Sequence, residues 1–484
     1  MSSRGDPSTN LDLEKSPGLL KVDSVPGASN IVDWEVNDPA DPQSWFMGKK
    51  WQHIILVSLL ALVTNMGPTI CAAGISGIVM EFNITTDILT TLTITIYVLG
   101  LALGPMFISP LSEVYGRLPV YHGTVLVFLV FVIGTAVSRT TAQFMVFRFI
   151  SGCMGGVPMS LGGGTIADLT IPAERAKAMA LFSLGPLTGP VLGPLLGGFI
   201  AGGAGWRWTF WFLAILGGTC EIACIILMRE THPKVLLERK TDRLSLDGEP
   251  KFEVQTYPSQ CHAPAGTVLL VRSPILLVIS LYVAVVFGTM YLLFTTFVPV
   301  FEDQYGFTKT VSGLTYLGLG VALIAAMVTF TMLSNRIQKA RMEKEGVQQP
   351  RPEYRLLLMI CFSPLVGIGL FLYGWTTEYK VHWIVPIIGT FVTGFGAYFV
   401  IMPAQLYLVD VFGSAAAASA LGANNLLRSM ASTFLPLAGP PMYDRLGYGW
   451  GNTLLAFLAL AFVPGPILFY KFVERLRAKT QVKT

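Results

Sequence analysis

Charge is what this 484-residue sequence holds least of. Asp, Glu, Lys and Arg make up 13% of it, against about 25% in ordinary soluble domains. So few charges cannot cover a soluble surface. An integral membrane protein is expected, and disorder, collagen, coiled coil and nucleic-acid binding are excluded at the class level. The six cysteines (Cys71, Cys153, Cys220, Cys224, Cys261 and Cys361) are scattered and mostly inside apolar runs, which reads as reduced thiols rather than a disulfide framework. The five histidines do not cluster, and neither CxxC nor HExxH occurs. No metal, no cofactor and no catalytic cluster is expected, so the chain does not read as an enzyme. Residues 1–50 are polar and acidic, with eight Asp or Glu against five Lys or Arg, so no signal peptide is expected there.

Hydrophobic types reach 52%, glycine adds 49 residues, and mean hydropathy is +0.60. A helix needs about 20 apolar residues to cross the hydrocarbon core. Segments of that kind lie near 52–74, 88–110, 119–138, 142–165, 177–202, 206–228, 274–301, 310–334, 355–374, 383–407, 415–441 and 450–471. Because backbone groups in lipid must be satisfied internally, each is read as a helix. The runs lack the period-two alternation of a membrane barrel. The expected fold is an all-α membrane protein of twelve transmembrane helices in two pseudo-symmetric six-helix bundles, 51–228 and 274–472. A loosely ordered tail (1–50), a polar loop (229–273) and a short tail (473–484) complete it.

With both termini inside, 26 of the 33 Lys and Arg fall on the cytoplasmic side, five fall outside, and Arg148 and Arg428 lie within spans; that asymmetry sets the orientation. Asn83-Ile84-Thr85 is a glycosylation sequon in the first outer loop, close to the membrane, where a glycan is often not added. Gly203-Ala204-Gly205-Trp206 before the sixth span and Gly447-Tyr448-Gly449-Trp450 before the twelfth suggest an internal duplication, as do Leu111-Ser112-Glu113 and Leu333-Ser334-Asn335.

Three motifs carry the chemistry. Ser109 to Arg117 joins spans two and three in a few residues, with Glu113, Gly116 and Arg117 in order; it suits either a charge-paired hairpin or a plain positive-inside turn. Arg148 is followed at four-residue spacing by Gly152 and Gly156. An arginine in hydrocarbon normally faces a cavity or a partner, and the alternatives are bonding to backbone carbonyls or snorkelling. Gly185, Gly189, Gly193 and Gly197 form a nearly side-chain-free face on span five, with Pro190, Pro194 and Gly198 beside them. Such a face lets helices approach closely.

These motifs resemble those of the major facilitator superfamily. Glu113, Gly116 and Arg117 stand at the Asp, Gly and first Arg of its loop signature, while Ser109 replaces the initial Gly and Leu118 the second basic residue. Span five resembles the signature of drug:proton antiporters at Gly185, Gly189, Pro190, Gly193, Gly197 and Gly198, with two extra residues before the Gly pair. Asp41 to Trp51, Arg229 to Leu237 and Tyr407 to Arg428 are similar to segments of fungal twelve-span drug:proton antiporters, whereas the sugar-porter signatures are missing.

The resemblance implies a proton-coupled exporter of a small amphipathic organic compound, a drug or fungal secondary metabolite, working by alternating access. It implies a monomer in the plasma membrane, with the vacuolar membrane as the alternative. An importer of a solute such as a polyamine, or a non-transporting sensor, is the competing reading. Arg148, Glu221 and Arg428 are the candidates for proton coupling. Glu113, held by Arg117, is expected to dock at the helix start near Ser414 to close an inner gate, as the family's equivalent acid is proposed to do. A cavity for the small-molecule substrate would draw on Asn65, Tyr97, Tyr291, Phe294, Tyr398, Gln405, Asn424 and Asn425, apolar and aromatic walls with a few amides.

Overall fold

The computed structural model describes residues 31, 32, 34, 38–246, 253–254, 273–346 and 352–470, with several side chains, 413–419 among them, left out. The C-terminal tail, Cys261 and most of the tail before residue 38 lie outside the described residues. Nearly everything described is helical. The first half comprises α1 (Met47–Met66), α2 (Ile75–Phe82), α3 (Asp87–Ile108), α4 (Leu111–Tyr115), α5 (Arg117–Val137), α6 (Thr141–Leu169), α7 (Pro172–Ala204) and α8 (Trp206–Leu227). An amphipathic helix, α9 (Pro233–Leu246), lies in the stretch expected to be loop. The second half comprises α10 (Pro274–Tyr305), α11 (Lys309–Leu314), α12 (Tyr316–Glu345), α13 (Tyr354–Phe362), α14 (Pro364–Glu378), α15 (Ile384–Phe434) and α16 (Gly439–Ala461). A two-residue parallel pairing, β1 (Ile31–Val32) with β2 (Glu253–Val254), is the one strand contact among the described residues.

Ten described stretches are long and apolar enough to cross a membrane. The last, Ala420–Tyr470, holds two spans, because Gly447 breaks its helix at φ 71° and ψ 174°. Together with α1 this makes the twelve expected crossings. The 51 residues of α15 would reach about 76 Å as one rod, far beyond one crossing, so α15 also carries parts of two spans.

The first crossing differs from its expected bounds. Helix α1 starts at Met47 and stops at Met66, and the chain turns through Gly67 to Cys71 before a short 3₁₀ turn at Ala72–Gly74 leads into α2. Pro68 supplies the reason: it lacks a donor N–H and so cannot extend the helical hydrogen-bond ladder, although Gly67 before it still has helical φ −50° and ψ −46°. The repeat also has a different register. Gly205 (φ 90°, ψ 165°) before α8 matches Gly447 in backbone geometry, so Gly205-Trp206 corresponds to Gly447-Tyr448, two residues off the alignment of the Trp positions.

The end of the molecule that carries α4, α9 and the Lys- and Arg-rich end of α12 is its basic end. At the opposite, far end the two halves are packed together. A Cβ on Gly313 of α11 would sit 2.9 Å from the Pro194 carbonyl and 3.4 Å from Gly198 Cα, both on α7. Likewise Ala73, Val98 and Val191 of the first half belong to the apolar core of the second. At the basic end, by contrast, the ion pairs Arg117–Asp168 and Arg355–Asp410 each stay within one half.

Candidate functional site

Glycine-ribbed α7 runs along α1. Cβ atoms on Gly185 and Gly197 would collide with the Ser58 and Ile70 carbonyl oxygens, and one on Gly193 would lie 2.5 Å from Thr69 Oγ1. Only glycine allows backbones this close. The other side of α7, with Val191, Pro194 and Gly198, faces the second half. One helix therefore couples the interrupted first span to the seam between the halves.

Arg148 is 1% exposed on α6, and its polar contacts are shared between that break and α3. Its guanidinium donates to the carbonyls of Gly67 (2.6 Å), Pro68 (3.2 Å), Thr93 (3.2 Å) and Ile94 (3.2 Å), and lies 3.3 Å from Cys71 Sγ. The Tyr97 ring lies under it with its centroid at 5.0 Å. Of the readings open for this residue, bonding to carbonyls is the one present. The cation sits at the C-terminal end of α1, where the helix dipole favours positive charge.

Of the cavity candidates, Tyr291 and Phe294 are in ring contact, and Tyr97 lies against Arg148. Tyr291 lies within electrostatic reach of both Arg148 and Arg428, one from each half. Phe294 meets Tyr291 edge-on at 5.5 Å and stacks on Tyr316 at 5.8 Å. Tyr97 spends its hydroxyl on the Thr64 carbonyl at 2.7 Å. Arg428 donates from Nη2 to Asn425 Oδ1 at 2.6 Å and lies over the Phe287 ring at 4.3 Å. Its Nε and the Oδ1 of Asn424 are buried without a hydrogen-bond partner.

The remaining cavity candidates lie elsewhere or are occupied. Asn65 is tied to the Ala61 carbonyl at 2.8 Å, beside Gly189. Tyr398 packs edge-on against Phe330 at 6.0 Å. Gln405 is half-buried on α15.

Glu221 has a partner that sequence reasoning missed. His122 Nδ1 of α5 lies 2.6 Å from Glu221 Oε1 of α8, while Oε2 is buried without a partner. The carboxyl is 2% exposed on its side chain and the imidazole 22%. Two groups able to trade one proton thus meet inside the first half. Nothing local in the sequence marks His122, because its partner is 99 residues away on another helix.

At the basic end the loop motif is wired differently from expectation. Arg117 donates to Asp168 Oδ2 (3.2 Å) and Ser112 Oγ (2.7 Å), not to Glu113. Glu113 Oε2 is buried and unpartnered. The reason is local: α4 ends at Gly116, whose φ of 95° turns the chain and sends Arg117 toward α6. Glu230, after α8, caps α5 instead, accepting the N–H groups of Arg117 (2.9 Å) and Leu118 (3.1 Å), and also those of Thr231 and His232. Burial, with the Arg117 guanidinium nearby, lowers the His232 pKa to about 4. Ser414 lies inside the helical run of α15 and not ahead of a helix start; its side chain falls outside the described residues. Asn83 is exposed at the left-handed C-cap of α2.

This architecture matches known proteins over nearly its full length. The family model described as Major Facilitator Superfamily matches residues 54–436. The MFS transporter prlG of a fungal species (strain NRRL 50135) is 51% identical, with 96% of this chain and 100% of that protein aligned. The efflux pump radE of Floropilus chiversii is 41% identical over 94% of this chain and 86% of its own length. Among solved structures, the partially occluded inward-open xylose transporter XylE of E. coli superposes with a TM-score of 0.65 at 14% identity, covering 88% of this chain and 98% of that one; that likeness concerns the fold alone. With a family match across both halves and a half-identical relative aligned end to end, this chain is a member of the Major Facilitator Superfamily.

Proposed function

We propose that the chain is a proton-coupled efflux transporter. It exports a small amphipathic organic compound, such as a fungal secondary metabolite or a drug, across the plasma membrane. In this reading the basic end faces the cytoplasm, in keeping with the charge asymmetry of the loops. On the same reading the packed end, where α7 meets α11, is the closed side and the state is inward-facing, ready to load from inside. The observation that carries the direction of transport is the glycine rib of α7 packed against α1, which resembles the antiporter signature. The relative named an efflux pump supports the same direction.

In this mechanism the halves rock about the seam at α7, α11 and α12, so that compound leaves as protons enter. His122 and Glu221 carry the proton, because a half-buried imidazole and a buried carboxyl 2.6 Å apart can pass one proton between them; Arg148 fixes the break after α1. The protein works as a monomer, since each chain holds both halves. The test is flux in proteoliposomes with an imposed proton gradient. Net movement of a reporter drug toward the acidic side supports the proposal. Co-movement of proton and solute in the same direction would show an importer.

A further inference from the structure

The first half contributes Arg148 to the membrane interior and the second half contributes Arg428, and their surroundings differ in a way that points to a ligand. Arg148 is answered by four backbone carbonyls. Arg428 is only 8% exposed, yet its partners are one amide oxygen, that of Asn425, and the face of Phe287. Its Nε donor is buried and unpartnered, and no carboxylate among the described residues pairs with it. One helical turn earlier, Asn424 presents a buried Oδ1 that is also unpartnered.

A buried cation without a counter-charge is costly, and pairing it with an anion is strongly favourable where water is excluded. The surroundings suit an organic ligand rather than a mineral ion. Phe287, Tyr291 and Phe294 form an aromatic wall that begins under the guanidinium, with successive ring centroids 5.3 and 5.5 Å apart. We propose that Arg428 is the anion-recognition point of the substrate site, so that the transported compound is an amphipathic organic acid carried as its monoanion. Such a compound joins one ionised acid group to an apolar body that can lie on aromatic rings. This rests on the export reading and adds the chemical class of the cargo. The acid group bonds Nε of Arg428, the apolar body lies on the aromatic wall, and Asn424 Oδ1 takes an O–H or N–H next to the charge.

The test uses the full chain in nanodiscs and three probes of one shape: 2-naphthoate, neutral 2-naphthamide and cationic 2-naphthylmethylammonium. Equilibrium dialysis against empty nanodiscs measures binding. The expected result is saturable binding of naphthoate, about tenfold or more tighter than of the other two, the size of one charge-assisted hydrogen bond. Arg428→Gln should bring naphthoate to the level of the amide. It should not lower the melting temperature of the ligand-free protein, since it removes an uncompensated buried charge; a merely structural arginine would give the opposite shift. Arg428→Lys keeps the charge but loses Nε, and should fall between the two.

Naphthoate that binds no tighter than the amide, binds equally well to Arg428→Gln, or fails to bind at millimolar concentration would overturn the proposal. Arginine-dependent binding without any proton-driven flux would instead sink the export reading and leave the anion site standing.

Discussion

At the scale of single residues, Arg148 and Glu221 separate holding the fold from moving a proton. Arg148→Ala orphans four carbonyls in a dry interior, a loss of about 3–5 kcal/mol by analogy with broken buried charge pairs. The variant should melt at markedly lower temperature and transport nothing. Glu221→Gln removes only the group that exchanges a proton with His122. Gradient-driven flux should vanish while exchange of substrate between the two faces persists; loss of both, or of neither, would end the assignment. His232 offers a test outside the membrane. Its folded pKa is depressed to about 4, so unfolding takes up a proton below the ordinary histidine value of about 6.5. Stability is full above that value and is lost as pH falls from about 6.5 toward 4. Because the ring is partly solvated, about 1–2 kcal/mol is at stake. Melting curves of His232→Gln should be flatter than wild type across that window.

At the scale of elements, α7 acts through its lack of side chains. A methyl on Gly189 would come within 2.9 Å of the Asn65 backbone, while one on Gly203 of the same helix meets nothing within 4 Å. Gly189→Ala should therefore push α1 from α7 and cut flux severely, with an overpacking cost of about 1–3 kcal/mol. Gly203→Ala should leave flux intact and stabilise slightly, by about 0.5–1 kcal/mol, through helix propensity. Equal flux in both variants would show that the rib is not a coupling surface. This face is visible in sequence because a four-residue period in one residue type survives without knowledge of a partner. The break at Gly67-Pro68 carries a proline signal, but the long apolar run around it conceals the stop and reads as one continuous span. What a single sequence does not display is which distant groups meet: Arg117 takes Asp168 rather than Glu113, Glu230 caps α5 from 112 residues away, and His122 finds Glu221. Those choices depend on the turn at Gly116 and on how the helices stack, and neither is encoded in local pattern.

At the scale of the whole molecule, the packed far end and the separate ion-pair networks at the basic end describe one of the two states that a rocking transporter must visit. If the halves move as bodies, the contact between α7 and α11 has to open once in every cycle. Gly202 and Thr310 mark that contact: a Cβ on Gly202 would stand 4.0 Å from Thr310 Cβ, within the span of about 3.5–4.5 Å that a disulfide requires. Gly202→Cys with Thr310→Cys, in a background without the native cysteines, should cross-link under mild oxidation. The cross-linked protein should retain binding from the basic end yet carry no net flux, and a reductant should restore transport to the level of the unoxidised variant. Full cross-linking with undiminished flux would mean that substrate passes without the seam opening. That result would replace rocking halves with a path through a fixed pore.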